Sequence, residues 1–138
     1  MPTINGLLET ALYVDNLDRS ADFYRRLFGL ETILETAGRL HAMSVAGRQV
    51  LLLFRTGASD QPNPVPGGTA PAHDGRGRLH LAFAISAGEV DAWRRRLVEA
   101  GVEIESTVVS PRGGTSLYFR DPDGHLVELA SPGIWPIY

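Results

Sequence analysis

The chain contains no cysteine and no lysine. The first absence excludes disulfides, thiolate metal centres and a cysteine nucleophile. The second excludes Schiff-base chemistry on a lysine amine, because all 13 basic residues are arginine. A long apolar run is also missing, and nothing approaches the roughly 20 residues that a membrane-spanning helix needs. Positive charge is in short supply too. A net charge of -3 makes the electrostatic term of nucleic-acid binding repulsive on average, and the only basic cluster, "WRRRL" at 93–97, reads as the solvated face of a helix. The opening "MPTINGLLETALYV" lacks the basic and long apolar regions of a secretory signal, which gives the expectation of a cytoplasmic protein with neither a membrane nor a nucleic acid as partner.

What is present is globular: 138 residues, 43% hydrophobic and 21% charged, the size of one ordinary domain or of two small modules. A strand-like run at 7–14 ends in "DNLDRS", where Asp15 or Asn16 can cap a helix over 17–28 stopped by Gly29. Strands are expected at 30–36, 40–46 and 49–55, with Gly38 and Gly47 turning between them. The Pro/Gly-rich stretch 57–78 reads as a linker or long surface loop. A second series then begins, with a strand at 79–86, a helix at 89–100 and strands near 102–109, 114–120 and 125–131.

The second series repeats the first. "ETALYV" lies over "HLAFAI", and "FYRRLFGLE" lies over "WRRRLVEAGVE" with a two-residue gap. The expected fold class is therefore α+β, with one βαβββ module over 6–56, a second over 79–132 and a short tail at 133–138. Each such sheet has a concave face it cannot bury alone, so the two modules are expected to pair into a partly closed, barrel-like cleft.

The overlay sets Glu9 over His80 at the starts of corresponding strands, and the period-two alternation sends each to a face shared with small residues: Ala11, and Ala82 and Ala84. Glu128, alone in the apolar run "LVELA", is a third candidate. Two carboxylates and an imidazole in apolar surroundings repel and desolvate one another unless a cation lies between them. One nitrogen and two oxygens suit Mn²⁺, Fe²⁺, Co²⁺, Ni²⁺ or Mg²⁺, with Zn²⁺ less favoured, and three protein ligands leave positions open for substrate.

The segments "ETALYVDNLDRSADFYRRLFGLE", "LHLAFAISAGEVDAWRRRLVEAGV" and "SLYFRDPDGHLVELASP" resemble the glyoxalase, bleomycin-resistance and extradiol-dioxygenase superfamily over residues 6–132. The resemblance implies the paired βαβββ fold and metal ligands at Glu9, His80 and Glu128. It also implies an enzyme in which a divalent ion chelates vicinal oxygens of a small substrate, with lyase, isomerase or related chemistry and Glu128 or Glu9 as general base. Ser116 and Tyr118 match positions that line the site in fosfomycin-modifying members, whose substrate-binding lysine has no counterpart here. Glu9 stands where dioxygenases carry histidine, and Leu51 or a neighbour stands where glyoxalases carry a fourth ligand, a glutamate. The alternative implied by the same resemblance is a metal-free homodimer that sequesters an aromatic compound.

Other residues have plainer readings. Glu128 could instead bond Arg120 across the hairpin, and His125 decorates the "DPDG" turn, whose Pro122 and Gly124 supply the backbone angles. Arg112, on a flexible "PRGGTS" loop, is the candidate anion contact for substrate. His41 and His73 have no partner identifiable in the sequence. The apolar tail "PGIWPIY" is expected to cover the cleft edge or form a homodimer contact.

Overall fold

The computed structural model describes all 138 residues, and its contacts divide the chain into two units, Met1–Arg76 and Gly77–Tyr138. The first unit runs β1 (Glu9–Val14), α1 (Leu17–Phe28), β2 (Glu31–Thr36), β3 (Leu40–Val45) and β4 (Gln49–Arg55), followed by a small hairpin, β5 (Asn63–Val65) and β6 (Gly68–Ala70). The second runs β7 (His80–Ala84), a 3-10 turn (Ala87–Glu89), α2 (Val90–Glu99), β8 (Ser106–Val109), β9 (Thr115–Arg120) and β10 (Leu126–Ala130). Each forms an open four-stranded sheet, ordered β1-β4-β3-β2 in one and β7-β10-β9-β8 in the other. The α+β class and both βαβββ modules expected from the sequence are present.

Helix α1 begins where the sequence places it. Asn16 is extended (φ -129°) and its side-chain oxygen accepts the Arg19 N–H, a cap of the kind that contributes about 1 kcal/mol. Gly29 ends the helix in the left-handed region (φ 71°), where a side chain would be strained. The face formed by Leu17, Ala21, Tyr24 and Leu27 is buried, as are Leu12 and Val14 of β1, Met43 of β3 and Leu51 and Leu53 of β4. In the second unit the corresponding core is Leu97 of α2 with Leu117, Phe119, Val127 and Leu129. In both sheets the first and last strands of the module pair in parallel, Glu9 opposite Val50 and His80 opposite Leu126.

Two expectations shift. The strand expected at 102–109 starts only at Ser106, because residues 100–102 are taken up in ending α2: the Gly101 N–H bonds Val98 O and the Val102 N–H bonds Leu97 O. The stretch 57–78, read as linker or loop, contains the β5–β6 hairpin and folds back on the first sheet through His73. The His73 ring meets Phe54 edge-on at 4.5 Å, and its Nδ1 lies 2.7 Å from the Tyr13 hydroxyl. Gly75 permits this return, since a Cβ there would run into the Tyr13 ring.

Candidate metal and substrate site

The second sheet assembles the site within one unit. The parallel register sets Glu128 beside Ala82, and the antiparallel register sets it opposite Tyr118, with Ser116 opposite Ala130. His80, Ala82, Ser116, Tyr118 and Glu128 therefore share the sheet face turned away from the Leu117, Phe119 and Val127 core. Glu128 is 7% exposed, whereas the His80 side chain is 51% exposed. His80 Nε2 lies 3.3 Å from Glu128 Oε2.

The His80 ring is oriented by the backbone. Its Nδ1 lies 3.0 Å from Leu126 O, and because a carbonyl only accepts, Nδ1 carries the proton and donates it. Nε2 is left to face the Glu128 carboxylate. An imidazole held in this tautomer by a carbonyl is the arrangement that metal-binding histidines use. The 3.3 Å between Nε2 and Oε2 also fits the roughly 3.0–3.5 Å between adjacent ligands of an ion held at about 2.1 Å. The pair can thus offer one nitrogen and one oxygen to a divalent cation.

Tyr118 supplies a hydroxyl to the same face. Burial raises its pKa above the ordinary value of 10.0, the Glu128 carboxylate adds to the rise, and the bond with Ser116 opposes it. Tyr13 in the first unit is raised as well, by burial first and then by Asp74. The sign follows: a phenol that ionises later in the folded state holds its proton longer than in the unfolded chain, so stability is lost as pH rises above about 10. In an alkaline ultraviolet titration both tyrosines are expected to ionise above pH 10. Glu128→Gln is expected to lower the Tyr118 midpoint and leave that of Tyr13 unmoved; equal effects on both would remove the assigned cause.

Other sequence-based assignments are corrected or placed. Arg120 does not bond Glu128; its guanidinium takes Glu105 at 2.7 and 3.1 Å, and this holds the Glu105 carboxyl below its usual range. That contribution to stability is present above about pH 4.5 and fades as pH falls. His125 is not a surface decoration. It is buried, its Nδ1 accepts the Leu79 N–H at 2.9 Å, and its own N–H bonds Asp121 Oδ1 at 2.9 Å. Asp121 also accepts the Asp123 N–H, so the turn's acidity is spent on its own backbone.

The "PRGGTS" loop is tied down. Ser110 Oγ donates to Gly133 O at 2.7 Å, and the backbones of Gly114 and Gly133 are in direct contact. Arg112 is exposed on this turn, and no hydrogen bond or ion pair of its side chain joins it to His80 or Glu128. The tail closes on its own module: the Tyr138 hydroxyl donates to Ile85 O and Ala130 O at 3.1 and 2.9 Å. Glu9 is exposed at the start of β1, on the face it shares with Ala11 and Tyr13. The fourth-ligand position is sharpened by register. With Glu9 opposite Val50 and His80 opposite Leu126, the counterpart of Glu128 is Leu52, while Leu51 is buried on the helix side. The Tyr13–His73 pair is the feature that sequence reasoning missed, and Gly75 in an otherwise loop-like stretch was its only local sign.

A family model described as the Glyoxalase/Bleomycin resistance protein/Dioxygenase superfamily matches residues 6–129. The chain belongs to this superfamily. Among similar proteins, the metallothiol transferase FosB of Shouchella clausii is 30% identical over 129 residues, covering 91% of this chain and 80% of that protein. The fosfomycin resistance protein FosX of Listeria monocytogenes is 29% identical over 133 residues, covering 91% and 89%. The crystal structure of lactoylglutathione lyase from Agrobacterium tumefaciens is 35% identical, covers 98% of this chain and 99% of that one, and superposes with a TM-score of 0.88. The superfamily thus accounts for the duplicated βαβββ pattern, and similarity to the fosfomycin resistance protein FosX persists although no lysine is present.

Proposed function

We propose that the protein is a metal-dependent enzyme of the glyoxalase/dioxygenase type acting on a small molecule through its vicinal oxygens. The observation that carries this reading is the oriented His80 imidazole facing the buried Glu128 carboxylate at 3.3 Å. A buried carboxylate beside the Nε2 of an imidazole oriented through its other nitrogen is a ready pair of donors for a cation. The similarity to a metallothiol transferase and to a lactoylglutathione lyase supports metal and small-molecule chemistry.

In this proposal Glu9, His80 and Glu128 hold the ion, one of Mn²⁺, Fe²⁺, Co²⁺, Ni²⁺ or Mg²⁺. When bound, such an ion stabilises negative charge developing on substrate oxygens. The chain's own groups do the rest. Tyr118 stays protonated well into alkaline pH and donates to a substrate oxygen, Ser116 fixes the Tyr118 hydroxyl, and Ala82 leaves room beside Glu128. Glu128 would help hold the ion, and its carboxylate would serve as general base toward the substrate. Arg112 is proposed as an anion contact on the strength of its charge and exposure alone. A homodimer is part of the reading, supported by an exposed Trp135 and Ile137 on the tail, and sedimentation velocity measures it.

Elemental analysis of protein purified without chelator tests the metal reading. A loss of about one equivalent relative to the wild type is expected in both His80→Ala and Glu128→Ala; content unchanged in both variants sinks it. A second reading, a metal-free module that sequesters an aromatic compound, rests on the Tyr13, Phe54 and His73 ring cluster of the first unit. It predicts a thermal shift with a bulky aromatic ligand and none with Mn²⁺, Ni²⁺ or Fe²⁺.

A further inference from the structure

A second donor cluster lies in the first unit, on the opposite side of its sheet from Glu9. His41 of β3 faces the core side of the sheet with Met43, Leu51 and Leu53, and is 6% exposed. Its Nδ1 is buried without a hydrogen-bond partner. Its Nε2 points out between two carboxylates, 3.5 Å from Asp18 Oδ1 in the first turn of α1 and 3.7 Å from Glu35 Oε1 on β2. Both separations exceed the ordinary 2.7–3.2 Å of an N–H···O bond. They are close to the roughly 3.3–3.6 Å edges of a tetrahedron of ligands about an ion at 2.0–2.2 Å. One donor atom from each of the three residues lies within 4.8 Å of the other two.

The backbone is shaped to bring Glu35 there. The β2–β3 ladder shifts register between Thr32 and Leu34, so Thr32 pairs with Met43 but Glu35 pairs with His41. Without that extra residue the strand alternation would place Leu34, not Glu35, beside His41. The three donors line a surface cavity of about 370 Å³, to which Asp15 adds a third carboxylate and Arg55 the single guanidinium. Charge at the cavity therefore favours a cation.

From this we infer that Asp18, Glu35 and His41 form a second divalent-cation site, separate from the His80 and Glu128 face, in which a bound ion ties the start of α1 to the β2–β3 hairpin. The donor set is the same as at the proposed His80 site, but separations close to the edges of a tetrahedron favour an ion that takes four-coordinate geometry, such as Zn²⁺ or Co²⁺. The inference does not depend on the proposed reaction, since none of its residues belongs to that site.

The test uses the full chain with His80→Ala and Glu128→Gln combined, which disables the other site. Calorimetry with Zn²⁺ is expected to find one equivalent bound, with the Co²⁺ form showing a tetrahedral or five-coordinate visible spectrum. Adding Asp18→Asn and Glu35→Gln, both at exposed positions that keep the fold by circular dichroism, is expected to weaken Zn²⁺ at least about 100-fold and abolish that spectrum. The converse chain, carrying only Asp18→Asn and Glu35→Gln, is expected to lose one equivalent relative to wild type. Zn²⁺ binding that is absent in the His80→Ala, Glu128→Gln chain, or undiminished by the two acid substitutions, overturns the inference.

Discussion

Glu128→Gln is expected to lower divalent-metal affinity at least about 100-fold while leaving the metal-free protein as stable as wild type or more so. The two halves of this result have one cause. Glutamine keeps the volume and an acceptor oxygen for the Tyr118 side, so the packing of β9 on β10 is retained. It removes a negative charge from a position only 7% exposed, and a charge costs more to bury than an amide. Without metal the substitution is therefore neutral or stabilising. With metal it removes a charged ligand oxygen 3.3 Å from His80 Nε2. Altering even the outer partners of a ligand costs about 10–100-fold in affinity, so losing the ligand charge itself costs no less. Thermal melts with and without Mn²⁺ measure both: the wild type gains stability on adding the ion by mass action, and the variant gains little. A variant that is destabilised without metal and still stabilised by it would mean that Glu128 serves packing alone.

Gly133→Ala is expected to destabilise the second module by roughly 2–4 kcal/mol, among the larger effects of a single methyl group. Two penalties coincide. Gly133 has φ 104°, which side chains rarely adopt, and its Cβ would meet Gly114 N at 2.6 Å and Arg112 O at 2.9 Å. These are backbone atoms and have no rotamer by which to move aside. Gly114→Ala meets the same wall from the other side, 2.6 Å from Gly133 C, at a position without the left-handed angle. It separates the steric cost from the conformational one and is expected to show the smaller loss. Urea denaturation of the two variants gives the comparison. Because Ser110 Oγ donates to Gly133 O, the loop bearing Arg112 should loosen in both, and its amide protons should exchange faster. Wild-type stability in both variants would show that the contact between loop and tail can open without cost.

Much of the fold was legible because its signals are local. The α1 boundaries follow from Asn16, whose side chain can accept a helix N–H, and from Gly29, which alone tolerates the angle that ends the helix. The repeat of "ETALYV" in "HLAFAI" gave two modules, and their sheets have the same order. The start of β8 was not legible: whether Val102 pairs with a strand or ends α2 depends on which carbonyl reaches its N–H first, and Leu97 O does. The return of His73 to Tyr13 was hidden for a similar reason, since a residue 60 positions away leaves no periodic trace.

At the sites the division is sharper. Sequence alone determined the residue types and strand faces: a lone glutamate in β10, a histidine opening β7, and alternation that sets both beside small residues. It also determined the superfamily, because the "DPDG" hairpin and the duplicated helix are written in contiguous residues. Only tertiary structure decided which groups pair. Ladder register put Glu128 across from Tyr118, Arg120 with Glu105 rather than Glu128, and Leu52 rather than Leu51 at the counterpart of Glu128. A one-residue bulge in β2 put Glu35 against His41. Alternation fixes a side chain's face relative to its neighbours in the same strand, but hydrogen bonds between strands fix what it faces, and those are made by residues distant in the chain.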